Sequence, residues 1–268
     1  MDNEHRLSQP SSRQFVHELR ALAETVAPES LLPAVLRELG LTDVYFSIES
    51  QLGPLLIAYN DHGIAAVGRG EEKEAFIAGY TARSGRPLRK APTSPPALSE
   101  AIARRLRGER AELRFDLRGL SEFESATLLK ATEIPRGQIR PYAWVAREIG
   151  RPGAVRAVGS ALGRNPIPLL IPCHRIIRSD GLIGEYVFGN AMKRAVLSAE
   201  GLVPDEIEHQ ARARIRYHAS DTTGIYCFPT CHNARRITEP HRVTFASDTA
   251  AQAAGYRPCK VCRPAIAS

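Results

Sequence analysis

Four of the five cysteines in this 268-residue chain fall within 36 residues, as Cys227-x3-Cys231, a gap of 27 residues, then Cys259-x2-Cys262. No other feature restricts the fold so tightly. A segment this short has little apolar core of its own, so whatever joins the two pairs must supply much of its folding free energy. The pair spacing suits a tetrahedral four-thiolate zinc site, and two disulfides are the alternative. The first residues, MDNEHRLSQPSS, are polar and lack the apolar stretch of a signal peptide. No apolar run approaches the roughly 20 residues of a membrane helix. A cytoplasmic location is the simplest expectation, and there such a cluster reads as metal before disulfide. One Zn2+ on Cys227, Cys231, Cys259 and Cys262 is therefore expected.

The fifth cysteine stands alone in NPIPLLIPCHRII, residues 165–177. A buried structural Cys173 would not need His174 and Arg175 beside it. A nucleophile would, because the thiolate reacts and neighbouring donors or cations help to form it. A free thiol, with a pKa of about 8.5, is only about 3% ionised at pH 7, so a lowered pKa is the expected device.

Net charge is +7, and its placement is more informative than its size. Residues 134–200 carry ten Lys/Arg against four Asp/Glu, and residues 217–268 six against three. Residues 1–133 are slightly acidic. Two basic segments are what a phosphate-binding footprint looks like, although a merely soluble basic surface fits the same counts.

Along the chain, apolar positions at helical spacing in 12–40, broken by Pro28 and Pro33, predict two helices within a helical extension over 1–42. Residues 43–70 hold three apolar runs around Gly-Pro and NDHG, which predicts an antiparallel meander. Helices are expected at 71–84 and 97–107, around the Pro-rich loop 86–96. Ser121 followed by Glu124 has capping-box spacing and opens another helix. Two short helices, 142–150 and 152–165, are joined by GRPG, as in a helix-turn-helix. The second is rich in small residues (Ala154, Ala157, Gly159, Ser160, Ala161), suiting either a groove or close packing on a neighbour. The expected fold is α+β: an antiparallel-sheet domain (43–118), an all-helical helix-turn-helix domain (119–201), a charged linker (202–216) and a small zinc-bound α/β module (217–268). His62, His209 and His218 read as surface or packing residues.

The segment NPIPLLIPCHRIIRSDGLIGEY resembles the active-site segment of the O6-alkylguanine-DNA alkyltransferases, whose hallmark is Pro-Cys-His-Arg followed by an aliphatic residue. The resemblance runs from YAWVAREIGRPGAVRAVGSALGRN to KRAVLSAEG and covers about 43–201, loosely over 43–120. It implies a DNA repair protein that irreversibly moves a methyl or other alkyl group from guanine O6 to its own Cys173. His174 would be the base, acting through water, Glu200 would orient it, and Asn165 would brace the turn. Tyr142 would contact the phosphate and help rotate the base out, and Arg156 would fill the gap left by the flipped nucleotide. Tyr186 would donate to the guanine ring, with the Val187 N–H near O6, and Arg175 joins this DNA-binding set. The implied partner is double-stranded DNA carrying O6-alkylguanine, bound by a monomer through the minor groove. Val187 and Phe188 depart from the family's usual residues after the tyrosine.

Over about 217–264, TTGIYCFPTC and AAGYRPCKVCRP resemble the Ada-type zinc-binding domain, in which the first cysteine is both a ligand and the acceptor of a methyl group from a DNA methylphosphotriester. Cys227 holds that position and is the possible second methyl acceptor. Phe228 stands where an arginine is usual. The alternative reading is a methylation-sensing regulatory DNA-binding protein, but no further sequence-reading module is evident.

Overall fold

Alternation in VYFSI and LLIAYN builds the first sheet. The computed structural model describes residues 42–264 together with residues 31, 35, 36 and 39; the helices expected at 12–40 lie outside the described residues. Strands β1 (Asp43–Ile48), β2 (Leu55–Asn60) and β3 (Gly63–Arg69) form the meander, and β4 (Leu88–Lys90) adds an edge, giving the order β3-β2-β1-β4. Side chains of successive residues point to opposite faces. Tyr45, Leu56 and Ala58 accordingly pack with Tyr80 of helix α1 (Lys73–Ser84), while Phe46, Leu55 and Ile57 enter the main core. Helix α2 (Pro96–Arg107) follows. On the β3 edge, the Val67 N–H donates to the Pro166 carbonyl at 2.8 Å, which ties the sheet to the segment leading into Cys173.

Helix α3 (Glu122–Thr132) opens on the expected capping box: Ser121 Oγ accepts from the Glu124 N–H at 3.2 Å, and Glu124 Oε2 accepts from the Ser121 N–H at 3.0 Å. Helices α4 (Tyr142–Glu148) and α5 (Val155–Gly163) form the helix-turn-helix. Gly150 ends α4 with φ of 72°, and the Arg151 N–H then reaches the Ala146 carbonyl at 2.8 Å. The small residues of α5 divide between buried and exposed positions. Ala161 is buried beside Val158 and Leu162, whereas Ala157 and Ser160 are exposed.

Two expectations are corrected here. The second domain is not purely helical: β5 (Arg140–Pro141) pairs in parallel with β6 (Ile176–Ile177), so the entry to α4 is joined to the acceptor turn. Residues 202–216 are not a free linker. After α6 (Asn190–Ala199) they form α7 (Pro204–Arg212), and Leu202 and Ile207 close a cluster with Ile139, Ile177, Ile183 and Leu197.

The last module contains strands β7 (Tyr217–Ser220), β8 (Ile225–Cys227), β9 (Arg242–Phe245) and β10 (Arg257–Pro258) in the order β10-β8-β7-β9. Short helices α8 (His232–Arg235) and α9 (Asp248–Ala253) complete it. From Val44 onward the chain packs as one unit, and Tyr217, Tyr226 and Phe228 share a continuous core with Trp144 and Val145.

Candidate active site and metal centre

Asn165 organises the acceptor turn. Its buried amide donates to the Ile171 carbonyl and to Cys173 Sγ, each at 3.0 Å, and its Oδ1 accepts from the Ile167 N–H at 3.0 Å. Between these anchors Leu169 adopts φ of 71°, a strained value for a side-chain-bearing residue. Cys173 then starts a single 3-10 turn, Cys173–Arg175, with the sulfur held on the protein's inner side.

The resting sulfur is a thiol. Burial pushes the Cys173 pKa up to about 11, and the opposing pulls of the Asn165 amide and the Lys193 charge do not overcome it. This corrects the expectation of a lowered pKa: the desolvation that shields the nucleophile also disfavours its anion. The proton must therefore leave during the reaction.

His174 follows Cys173 in the same turn. Its Nε2 lies 3.0 Å from Glu200 Oε1, and burial lowers its pKa, so the ring is neutral. Burial alone would raise Glu200, but hydrogen bonds from His174 and Arg175 outweigh it and hold the carboxyl at about 2. An ionised carboxylate only accepts, so the imidazole proton sits on Nε2 and Nδ1 keeps its lone pair. Nδ1 makes no hydrogen bond within the protein.

Arg175 turns toward Glu200. Its Nη2 and Nε donate to Glu200 Oε1 at 2.7 and 3.0 Å, and its Nη1 donates to the Ile134 carbonyl at 2.6 Å. Its guanidinium thus anchors Glu200, the residue expected to orient His174. Three of the other expected residues, Tyr142, Tyr186 and Val187, wall with Gly159 a pocket of about 140 Å³ that reaches Cys173. The Tyr186 ring stands edge-on to His174 at 6.1 Å and to Phe188 at 5.7 Å, and its hydroxyl is buried beside the Leu169 backbone. Val187 is exposed, and Arg156 projects from the exposed face of α5.

Sequence reasoning missed Lys193. Its fully buried ammonium donates to the carbonyls of Ile176 and Ile183 at 2.7 Å and of Glu185 at 3.2 Å, cinching the segment between the acceptor turn and Tyr186. Burial pushes its pKa down to about 8. The legible signal was a lysine three and four residues before Val196 and Leu197, on the apolar face of α6.

The four clustered cysteines meet as expected. Their sulfurs lie within 4.8 Å of one another, all four are buried, and none is in a disulfide. Backbone N–H groups of Asn233 and Ala234 face Cys231, and those of Val261 and Cys262 face Cys259. Four converging soft donors with amide support fit Zn2+. The buried Arg140 guanidinium lies close enough to act on these sulfurs and stacks 5.2 Å from the Phe228 ring and 5.8 Å from Trp144. Phe228 thus serves packing. The cation nearest the Cys227 cavity, about 360 Å³ and lined by Thr222, Thr223, Thr238 and His241, is Arg236.

Residues 122–202 match the model of the 6-O-methylguanine DNA methyltransferase DNA binding domain, and residues 208–265 match that of the metal binding domain of Ada. The chain is 34% identical over 161 residues to a methylated-DNA–protein-cysteine methyltransferase of Mycobacterium tuberculosis, covering 58% of this chain and 91% of that protein. It is equally identical over 158 residues to one from Methanosarcina barkeri, covering 58% and 96%. Among solved structures, the Mycobacterium tuberculosis O6-methylguanine methyltransferase aligns with a TM-score of 0.50 at 30% identity, over 59% of this chain and 93% of that one.

Proposed function

The chain belongs to the methylated-DNA–protein-cysteine methyltransferase family, and from that premise we propose that Cys173 is the acceptor of the alkyl group from O6-alkylguanine in double-stranded DNA. The observation that carries this assignment is one linked set: the Cys173 thiol bonded to Asn165, with neutral His174 beside it and locked by Glu200 and Arg175. The thiol proton passes to His174 Nδ1, directly or through one water. Sγ forms a bond to the alkyl carbon as the carbon–O6 bond breaks, and the electron pair returns to the base. Guanine regains a ring N–H, with the proton shed by the thiol, so charge and atoms balance. The product thioether cannot be expelled by any group in the site, so each chain acts once.

The pocket is narrow and lies beneath α5, so the lesion must be turned out of the helix to reach it, at a cost of a few kcal/mol. Arg156 on the exposed face of α5 fills the vacated stack, and Tyr142 rotates the base out. Tyr186 donates to the guanine ring, and the Val187 N–H lies near O6. The exposed Ala157 and Ser160 let α5 approach the minor groove closely. The protein acts as a monomer in the cytoplasm, where thiols remain reduced. The comparisons do not favour a methylation-sensing regulator.

Zinc, bound by Cys227, Cys231, Cys259 and Cys262, would keep those sulfurs ionised and secure the module. A second acceptor at Cys227, taking methyl from a backbone phosphotriester, is favoured by the hydroxyl-lined cavity beside it with Arg236 at its wall.

The test is to incubate zinc-loaded protein with methylated duplex DNA and map methylated peptides by mass spectrometry. Methyl on Cys173 is expected, and on Cys227 if the second reading holds. No methyl on Cys173, with lesions verified, refutes the central assignment.

A further inference from the structure

The Pro135–Gln138 turn connects the metal module to the catalytic carboxylate. The Gln138 N–H closes the turn on the Pro135 carbonyl at 3.1 Å, and Gly137 takes φ of 70°, which favours glycine. In this conformation the Gly137 N–H donates to Glu200 Oε2 at 3.1 Å. The Gly137 carbonyl accepts from Arg235 Nη2 of α8. A Cβ at residue 137 would lie 3.0 Å from the Glu200 carbonyl oxygen and 3.7 Å from both terminal guanidinium nitrogens of Arg235, so both groups crowd the Gly137 backbone.

Arg235 is itself fixed by the metal module. Its N–H donates to the carbonyl of the ligand Cys231 at 3.1 Å. Just before that ligand, Thr230 Oγ1 accepts from the Ile139 N–H at 3.0 Å, so the same module also grips the residue that follows the turn. Glu200 therefore receives His174 on Oε1, Arg175 on both oxygens and the Gly137 N–H on Oε2, and of these donors only Gly137 is itself held by the metal module.

We infer that Arg235 is a positioning residue for alkyl transfer, holding the Gly137 peptide so that its N–H fixes Glu200 against His174. This rests on the reading of Cys173 as acceptor. The alternative peptide orientation, with φ of 137 negative, turns this N–H away from the carboxylate and leaves Oε2 to Arg175 Nε alone. The metal module is then a working part of the first active site, in addition to any role of its own on DNA.

Full-length, zinc-loaded protein is compared with Arg235→Met and Arg235→Lys. Zinc content, the single-turnover rate of methyl transfer to Cys173, and amide exchange at Gly137 are measured. Arg235→Met should keep one zinc per chain, exchange the Gly137 amide faster and transfer methyl about three- to tenfold more slowly, the effect of one lost hydrogen bond. Arg235→Lys, which retains a donor, should recover most of the rate. In a Glu200→Gln background, Arg235→Met should add no further loss, because both changes break the same link. Should Arg235→Met lose zinc, the shorter Arg235→Gln takes its place. An unchanged rate in a zinc-replete variant overturns the inference, as does an equal loss in the Glu200→Gln background. A wild type that leaves Cys173 unmethylated instead overturns the functional reading, and the inference with it.

Discussion

Replacing Lys193 with methionine removes an ammonium but nearly preserves length and bulk. Three carbonyls lose their donor, and two of them, on Ile176 and Ile183, belong to residues with no exposed surface and sit 2.7 Å from Nζ. An orphaned buried acceptor costs about 1–3 kcal/mol, so these two cost about 2–6 kcal/mol. Burying a thioether in place of an ammonium returns roughly 1–2 kcal/mol. The net loss has a midpoint of about 2.5 kcal/mol, which corresponds to roughly 5–10 °C in Tm at about 2–4 °C per kcal/mol for a domain of this size. The released carbonyls lie between the acceptor turn and Tyr186, so methyl transfer should also slow, by about tenfold or more. Differential scanning fluorimetry and single-turnover transfer to a lesion-bearing duplex read both effects. A Lys193→Met protein that melts within about 1 °C of wild type and transfers at the same rate would refute the argument that these bonds hold the site together.

Other perturbations have equally definite outcomes. Glu200→Gln no longer fixes the His174 tautomer, so single-turnover transfer should fall about a hundredfold while Cys173 remains accessible to small alkylating reagents. The Cys173 thiol, raised by burial to about 11 from an ordinary 9, binds its proton more tightly in the folded state. That contribution is complete below pH 9 and is lost as pH rises through 11, so wild type should lose about 3 kcal/mol relative to Cys173→Ala between those values in urea titrations. Trp144, the chain's one tryptophan, donates from Nε1 to the Cys262 carbonyl at 3.1 Å. Stripping zinc with a strong chelator should therefore red-shift its emission and lower Tm, and an unchanged spectrum would separate the two modules.

Much of this was legible in the chain because the signals are local. Spacing alone placed the cysteine cluster and the Ser121–Glu124 cap, and the family motif placed Asn165, Cys173, His174 and Glu200 in one site. What escaped depends on tertiary burial. The acidic and basic residues of 204–212 disguised a helix whose inward face is little more than Ile207 and Ala211. The resemblance put Arg175 with the DNA-binding residues, and nothing in it showed that the guanidinium bonds to Glu200. Desolvation reversed the sign of the expected shift at Cys173. The Arg235–Gly137–Glu200 connection spans 98 and 63 residues and leaves no periodic trace.

The bond between Trp144 and Cys262 also sets a clock. Its partners are 118 residues apart, so a ribosome adding about 5–20 residues per second makes the acceptor roughly 6–24 s after the donor. Throughout that interval the nascent helix-turn-helix presents the indole and its neighbours without their covering of aromatic and sulfur-bearing residues. The cell must shelter this surface, by chaperone or by speed, each time it makes a protein that will be used only once.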